Sequence, residues 1–549
     1  MTVRPDLVLV GRIATLAGDD GPGWAEAVAI ANGRIVAAGR LPDVDALAGP
    51  GTRRLVLADD EVALPGLTDA HLHLSDAAQA ATQVALEGCG SIEELVGRVR
   101  ATADADDGAW IEGGGWAADR LGRWPTAADL ELAAPGRRVA LWAHDHHALL
   151  ASTAAIADAG IDDDLGDPPG GVIRRDEAGH ATGVLHESAS RLVASLVPPR
   201  PTSVIGDAVR RLGAELLALG VVAVHDPGSL TARRDLGGPL DAYRELAATG
   251  DLGLRVHASI RAEQLDAAAA AGIRSGEPLG PDPRERLRLG WLKAFADGSL
   301  GSQTAALLEP LTQAPGEPPA PNDGLGVWLA TPERLGQQAL KAASLGIATQ
   351  IHGIGDAAVR AALDALAPTV GTTRLMPRVE HAQLVHPDDI GRFGRLGIAA
   401  SMQPVHLRTD VLQARRSWGE RADANAFPIA ALVASGAVVA FGTDAPVEPL
   451  DPWPGIACAV TRAAPSWAAG TPPLGAAHAI PLWRAIRAAC VDPALTAGEA
   501  DRGRLTAGHR ADVVVLPAAA VDEPVEVGAA LWQARPRRVL VDGEVVAGR

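Results

Sequence analysis

The chain has 549 residues, a 47% apolar content and a formal charge of −18, with twelve Trp against four Phe and one Tyr. That length exceeds one ordinary core and implies a large barrel with one or two accessory units. With no basic stripe to offset the acidic excess, the charge argues against a nucleic-acid or anionic-membrane partner and leaves small molecules as the expected ones.

The N-terminal run MTVRPDLVLVGRIATLAG is interrupted by Arg12 and lacks the basic leader, apolar core and cleavage site of an export signal. No stretch is long enough to span a bilayer, so a soluble, cytoplasmic protein is expected. The first sixty residues read as short strands, DLVLVGRIATLA, AEAVAIANGRIVAAGR and RRLVLADDEVALP, with a turn at Asn32-Gly33. The C-terminus repeats this style in ADVVVLPA and in RRVLVDGEVVAG, a hairpin around Asp542-Gly543. Both ends are therefore expected to build one small β-sandwich domain from residues 1–66 and 497–549.

Between them, apolar runs alternate with Ala/Leu/Arg helical patterns: GVVAVHD, LRVHASI, LRLGWLKAFAD, GIATQIHGIGD, RVEHAQ, GIAASMQP and AVVAFGTD. Strand-helix alternation implies a parallel α/β sheet. Seven or eight such units, each ending in a polar or ionisable residue, suit a (β/α)8 TIM barrel over residues 67–496 with its site at the carboxyl ends of the strands. Residues from about 85 to 200, rich in Gly, Pro, Asp and Trp, fit the pattern poorly and read as an inserted α+β segment over the barrel mouth. Cys89, Cys458 and Cys490 are widely spaced and odd in number, which argues against disulfides or a thiolate zinc site. They read as buried small apolar side chains.

His71 and His73, in LPGLTDAHLHL, are two residues apart, and on a strand that spacing points both imidazoles to one side. Alone, such a pair is a weak signal. His352 ends GIATQIH, His381 ends RVEH and Asp444 ends AVVAFGTD, adding three metal-compatible side chains at the ends of later strands. Imidazole nitrogen and carboxylate oxygen suit zinc and similar ions; taken singly, each is equally a hydrogen-bonded barrel-end residue. Lys293 lies in the otherwise apolar LRLGWLKAFADG, where an unpaired ammonium is expensive to bury. It reads either as a snorkelling or Asp-paired lysine, with Asp297 the obvious partner, or as a lysine carbamylated by carbon dioxide and bridging two metals. His144, His186, His225, His257, His386, His406, His478 and His509 have no converging partner that sequence can show and read as structural; among them, His225 also ends a predicted strand.

The segments LPGLTDAHLHL, WLKAFADGSLGSQTAAL, IHGIGDAAV, RVEHAQLVHPDDI, FGTDAPVEPLDPW and LTAGHRADVVVL resemble the amidohydrolase superfamily, specifically its YtcJ-like branch, over nearly the whole chain. The resemblance takes in GGVIRRDEAGHATGVLHESA, and Asp145 to His147 reads Asp-His-His where that branch has Asp-Gly-His. It implies that His71, His73 and Asp444 hold one metal, that His352 and His381 hold a second, and that carbamylated Lys293 bridges them. Two divalent ions, with zinc the first expectation, are the implied cofactors. The same resemblance puts His147 and Trp116 (in EGGGW) where the branch presents substrate-facing groups.

The implied reaction is hydrolysis of a non-peptide amide, N-formyl or N-acyl amine or carbamate by a metal-bridging hydroxide, with Asp444 shuttling the proton and His147 donating to the carbonyl or its oxyanion. Trp110, Trp116, Trp124 and Trp142 hint at an apolar or aromatic substrate. The rivals are a mononuclear deaminase, a lactone or ester hydrolase and a non-catalytic barrel scaffold. His352 is followed by GIGD rather than the glutamate of a deaminase, and no ligand is missing as it would be in a scaffold. A homodimer is the default expectation for assembly.

Overall fold

The apolar runs of the central region form eight parallel strands. We label them in chain order β1 (Leu67–Asp69), β2 (Val221–Asp226), β3 (Arg255–Arg261), β4 (Leu287–Phe295), β5 (Thr349–Gly353), β6 (Arg378–His381), β7 (Ala399–Met402) and β8 (Val439–Phe441). The computed structural model describes residues 4–18, 21–105, 108–229, 234–313 and 320–548. Each strand pairs in parallel with the next. The Ala70 amide donates to the Phe441 carbonyl at 2.9 Å, which links β1 to β8 and makes the expected (β/α)8 barrel.

Burial on both faces explains why these strands are runs rather than alternations: every residue of β2, β3, β5, β6, β7 and β8 is buried. The helices outside carry the other half of the pattern. Pro332–Ser344 begins at a Thr331 cap, whose hydroxyl accepts the Arg334 amide at 3.3 Å, and buries Leu335, Ala339 and Ala342 along one face.

The two chain ends share one sheet. Its order is Glu544–Gly548, Arg538–Val541, Val513–Pro517, Glu61–Pro65, Leu7–Ala14, Trp24–Ala31 and Arg34–Gly39, with Arg53–Val56 paired to Leu7–Ala14. Both expected hairpin turns take left-handed conformations, with φ of 50° and 73° at Asn32-Gly33 and of 51° and 77° at Asp542-Gly543. The turns meet: a Cβ on Gly33 would lie 3.1 Å from the Asp542 Cβ. Arg255 of β3 ties this sheet to the barrel through Asp512 at 3.1 Å and through Asp542.

The segment between β1 and β2 folds as a six-stranded sheet ordered Gly171–Arg175, Ala181–Glu187, Ala148–Ala151, Arg138–Ala143, Trp110–Trp116 and Val84–Ala85, with helices packed on it. The loop joining Arg138–Ala143 to Ala148–Ala151 reaches the barrel mouth, where Asp145 accepts from Ser299 at 2.5 Å and from Ser302 at 2.7 Å. Positions 1–3, 19–20 and 549 of the expected terminal domain, and 106–107 of the insertion, lie outside the described residues. The three cysteines are buried and unpaired, and among the described residues no helix is long and apolar enough to cross a membrane.

Candidate active site

Strand β1 ends at Asp69, so His71 and His73 stand beyond it rather than on it, in the turn leading into the helix Leu74–Ala80. They converge all the same, because Asp69 pins the turn by accepting the His71 amide at 3.0 Å and the Thr443 hydroxyl at 2.6 Å. The Nε2 atoms of His71 and His73 lie 3.5 and 3.7 Å from Asp444 Oδ1. The other ring nitrogens are engaged: His71 Nδ1 with Glu380, and His73 Nδ1 with the Gly228 carbonyl at 3.0 Å. These partners hold the proton on Nδ1 and leave Nε2 as the lone-pair nitrogen, the arrangement a metal ligand requires.

His381 follows the same rule, its Nδ1 bonded to Gln403 Oε1 at 2.8 Å. The ring of His352 sits 4.5 Å from that of His381. Its Nε2 is given to the Gly298 carbonyl at 3.0 Å, so Nδ1 is its free nitrogen. His381 and Asp444 hold left-handed backbone, with φ of 71° and 63°. Such conformations cost roughly 1–3 kcal/mol each and persist where the surroundings fix them, as at functional sites.

Lys293, on β4, is 1% exposed and lines the cavity at the barrel mouth. Its ammonium lies 4.8 Å from the Phe295 ring, and no carboxylate among the described residues is within ion-pair distance. Pairing with Asp297 is therefore corrected: Asp297 accepts the amides of Ala306, Ile354 and Gly355 at 2.8, 3.1 and 2.9 Å instead. Burial pushes Lys293 down to about 7, against the pull of Glu380 and Asp444. Burial likewise holds His71, His73, His352 and His381 below the usual imidazole range, hence neutral and ready to ligate.

Two groups of donors lie within 4.8 Å of one another: His71, His73 and Asp444, and His381, His406 and Asp444. Nitrogen and carboxylate donors in this number, with the buried His71 Nε2 lacking any hydrogen-bond partner, fit a divalent first-row ion. The second group departs from expectation by including His406, whose Nε2 is 3.3 Å from Asp444 Oδ2. The residues that sequence reasoning missed are His406, Glu380 and Glu448. Glu448 is 3.8 Å from His406 and 3.6 Å from His144, and accepts the Thr409 hydroxyl at 2.7 Å. Burial favours the neutral forms of His406 and Glu448, but hydrogen bonding to Asp444 and Glu448 raises His406 to about 10, and hydrogen bonding to His144 and His406 lowers Glu448 to about 2. The available signal was position: His406 lies just beyond β7, in the short turn Pro404–His406. His225, by contrast, is walled in behind Trp291 and accepts from Arg378 at 3.0 Å.

His147 Nδ1 bonds Glu187 at 2.9 Å, and its ring lies 5.1 Å from His352. Burial would lower its pKa, but Glu187 and then Asp145 outweigh it and hold His147 up at about 9. The neighbouring His146 takes φ of 57°, the left-handed conformation that a glycine would favour, and stacks on Trp142. Trp116 is 1% exposed, with its Nε1 donating to the Leu141 carbonyl at 2.8 Å and its ring against Trp124. It forms a fixed wall of the cleft. That cleft has two arms sharing Asp145, His147, His352, His381 and Asp444. One arm runs past Trp116, Trp124 and His406, and the other past Lys293, Phe295 and Arg261.

The profile of the amidohydrolase family matches residues 55–547. Protein LONG AFTER FAR-RED 3 of Arabidopsis thaliana is 31% identical over 94% of this chain and 88% of its own length. YtcJ of Bacillus subtilis is 28% identical over 95% of this chain and 96% of its own. The N-substituted formamide deformylase of Arthrobacter pascens is 26% identical over 95% of each. A crystal structure of a metal-dependent hydrolase from Pyrococcus horikoshii superposes with a TM-score of 0.72 at 27% identity, covering 93% of this chain and 97% of that one.

Proposed function

This chain belongs to the amidohydrolase family, and from that premise we propose that it hydrolyses a carbon–nitrogen bond in a small non-peptide amide, such as an N-formyl or N-acyl amine. The observation that carries this reading is the convergence of imidazoles at or beyond the ends of β1, β6 and β7 on one carboxylate, Asp444, beside His352 at the end of β5 and a buried lysine with no carboxylate at ion-pair distance among the described residues. The similarity to a formamide deformylase supports the bond type.

In this reading His71, His73 and Asp444 would hold one ion, and His352 and His381 would hold the other, with zinc the first choice. Lys293, if carbamylated, would add an anionic ligand for these ions; its lowered pKa supports this, since only the neutral amine adds carbon dioxide. When bound, the ions supply Lewis acidity that activates water at neutral pH and polarises the scissile carbonyl. Glu380 and Gln403 hold the proton on Nδ1 of His71 and His381. Asp444 takes the proton of the attacking water on a carboxylate oxygen and passes it to the leaving nitrogen. His147, kept cationic by Glu187, directs its remaining N–H at the carbonyl oxygen as negative charge builds there. Trp116 and Trp124 shape the wall for an apolar substituent.

The test is a screen of N-formyl and N-acyl aryl and alkyl amines, with matched esters and lactones, on protein reconstituted with zinc and bicarbonate. Amine release that requires both additions is expected. Turnover confined to esters, lactones or deamination substrates contradicts the reading.

A further inference from the structure

The second arm of the cleft contains a guanidinium that no carboxylate among the described residues pairs with directly. Arg261 ends β3, in register with Lys293 of β4, and is 4% exposed. Its Nη1 is buried without a hydrogen-bond partner, and its guanidinium rests 4.1 Å from the Phe295 ring centroid. No carboxylate among the described residues lies within ion-pair distance of it. The acids of this arm are already engaged: Glu263 with Arg191 at 2.9 Å, Asp266 with Lys341 at 2.6 Å, Glu187 with His147, Asp145 with Ser299 and Ser302, and Asp444 with His406 at 3.3 Å. Arg191, Arg234 and Arg334 are exposed at the rim, where water solvates them.

A buried, unpaired cation costs several kcal/mol in principle, and a protein carries one where a ligand supplies the counter-charge. A guanidinium fork matches a planar two-oxygen anion, and the aromatic face beneath it fixes its plane. We propose that Arg261 binds the carboxylate of the substrate, so that the enzyme acts on carboxylate-bearing amides whose charged end lies in the second arm and whose apolar part lies in the first. This deepens the hydrolase reading and rests on it for the position of the scissile bond between the two arms.

The test uses binding, not turnover. The metal-loaded protein is titrated calorimetrically with 3-phenylpropanoate and with its neutral counterpart 3-phenylpropanamide, for wild type, Arg261→Met and Arg261→Lys. Carbamate on Lys293 is followed by its carbon-13 signal from labelled bicarbonate, and metal content is measured alongside. Wild type binds the carboxylate at least about tenfold more tightly than the amide, as a charge-assisted hydrogen-bonded pair implies. That preference disappears in Arg261→Met and partly returns in Arg261→Lys, while amide affinity, carbamate signal and metal content stay constant.

Equal wild-type affinities for the two probes overturn the proposal, and this comparison stands even if a variant fails to fold. So does a preference that survives Arg261→Met, which assigns the carboxylate to the metals alone. Loss of the carbamate signal in Arg261→Met also overturns it, because Arg261 would then serve Lys293. Arg261-dependent carboxylate binding in a protein that hydrolyses no amide leaves this inference standing and removes the hydrolase reading instead.

Discussion

Arg378 and the pair Arg261 and Lys293 are buried basic side chains of one barrel, placed in opposite circumstances. Around Arg378 the interior is saturated: Nε lies 2.5 Å from Glu380 Oε1, and the other donors reach Gln350 at 2.6 Å, the Ala70 carbonyl at 3.0 Å and His225 at 3.0 Å, over the face of Trp291. At the mouth, Arg261 and Lys293 have an aromatic ring for company and a cavity in front of them. The difference separates a charge that holds the molecule together from basic groups that, on the proposed reading, meet a ligand or carbon dioxide from the cavity. Burial alone does not distinguish them; the partner count does.

The contrast is broken most severely at Arg378. Arg378→Met leaves the buried Glu380 charge with only the neutral His71 imidazole as a partner and is expected to cost about 3–5 kcal/mol, measured by chemical denaturation. Arg261→Met removes a charge with no partner, so its stability is expected to stay within about 1 kcal/mol of wild type, the lost contact with Phe295 being offset by relief of desolvation. Equal destabilisation of the two variants would erase the distinction.

Smaller effects sharpen it. Glu380→Gln keeps the shape but weakens the hold on the His71 proton, and metal affinity is expected to fall about 10- to 100-fold in competition with a chelator. His147→Gln leaves metal content intact while turnover on a screened amide falls by about 100-fold, as loss of one oxyanion donor does. Since Glu187 holds His147 cationic up to about 9, the wild-type rate declines as pH rises through that value, a decline missing from His147→Gln.

Much of the barrel was legible because a strand buried on both faces is an uninterrupted apolar run, and its polar terminus marks the mouth. His352 and His381 were visible in that way, and the two terminal hairpins showed in Asn32-Gly33 and Asp542-Gly543. His406 escaped because it follows β7 through a short 3-10 turn, so no strand period points to it. Glu380 hid beside His381, where its link to His71 crosses 309 positions of sequence. The Asp297 pairing failed for a related reason: nearness in the chain gives no direction, and three backbone amides had claimed that carboxylate. Arg261 carried no signal at all, since being unpaired is a property of the surroundings.

A two-ion centre that depends on Lys293 is tested by metal content per chain, measured by elemental mass spectrometry on chelator-free wild type and Lys293→Ala. Close to two ions are expected in the wild type, with a clear fall in the variant. About one ion, unchanged by Lys293→Ala, would make Lys293 structural and the centre mononuclear, and the two-ion reading would fall.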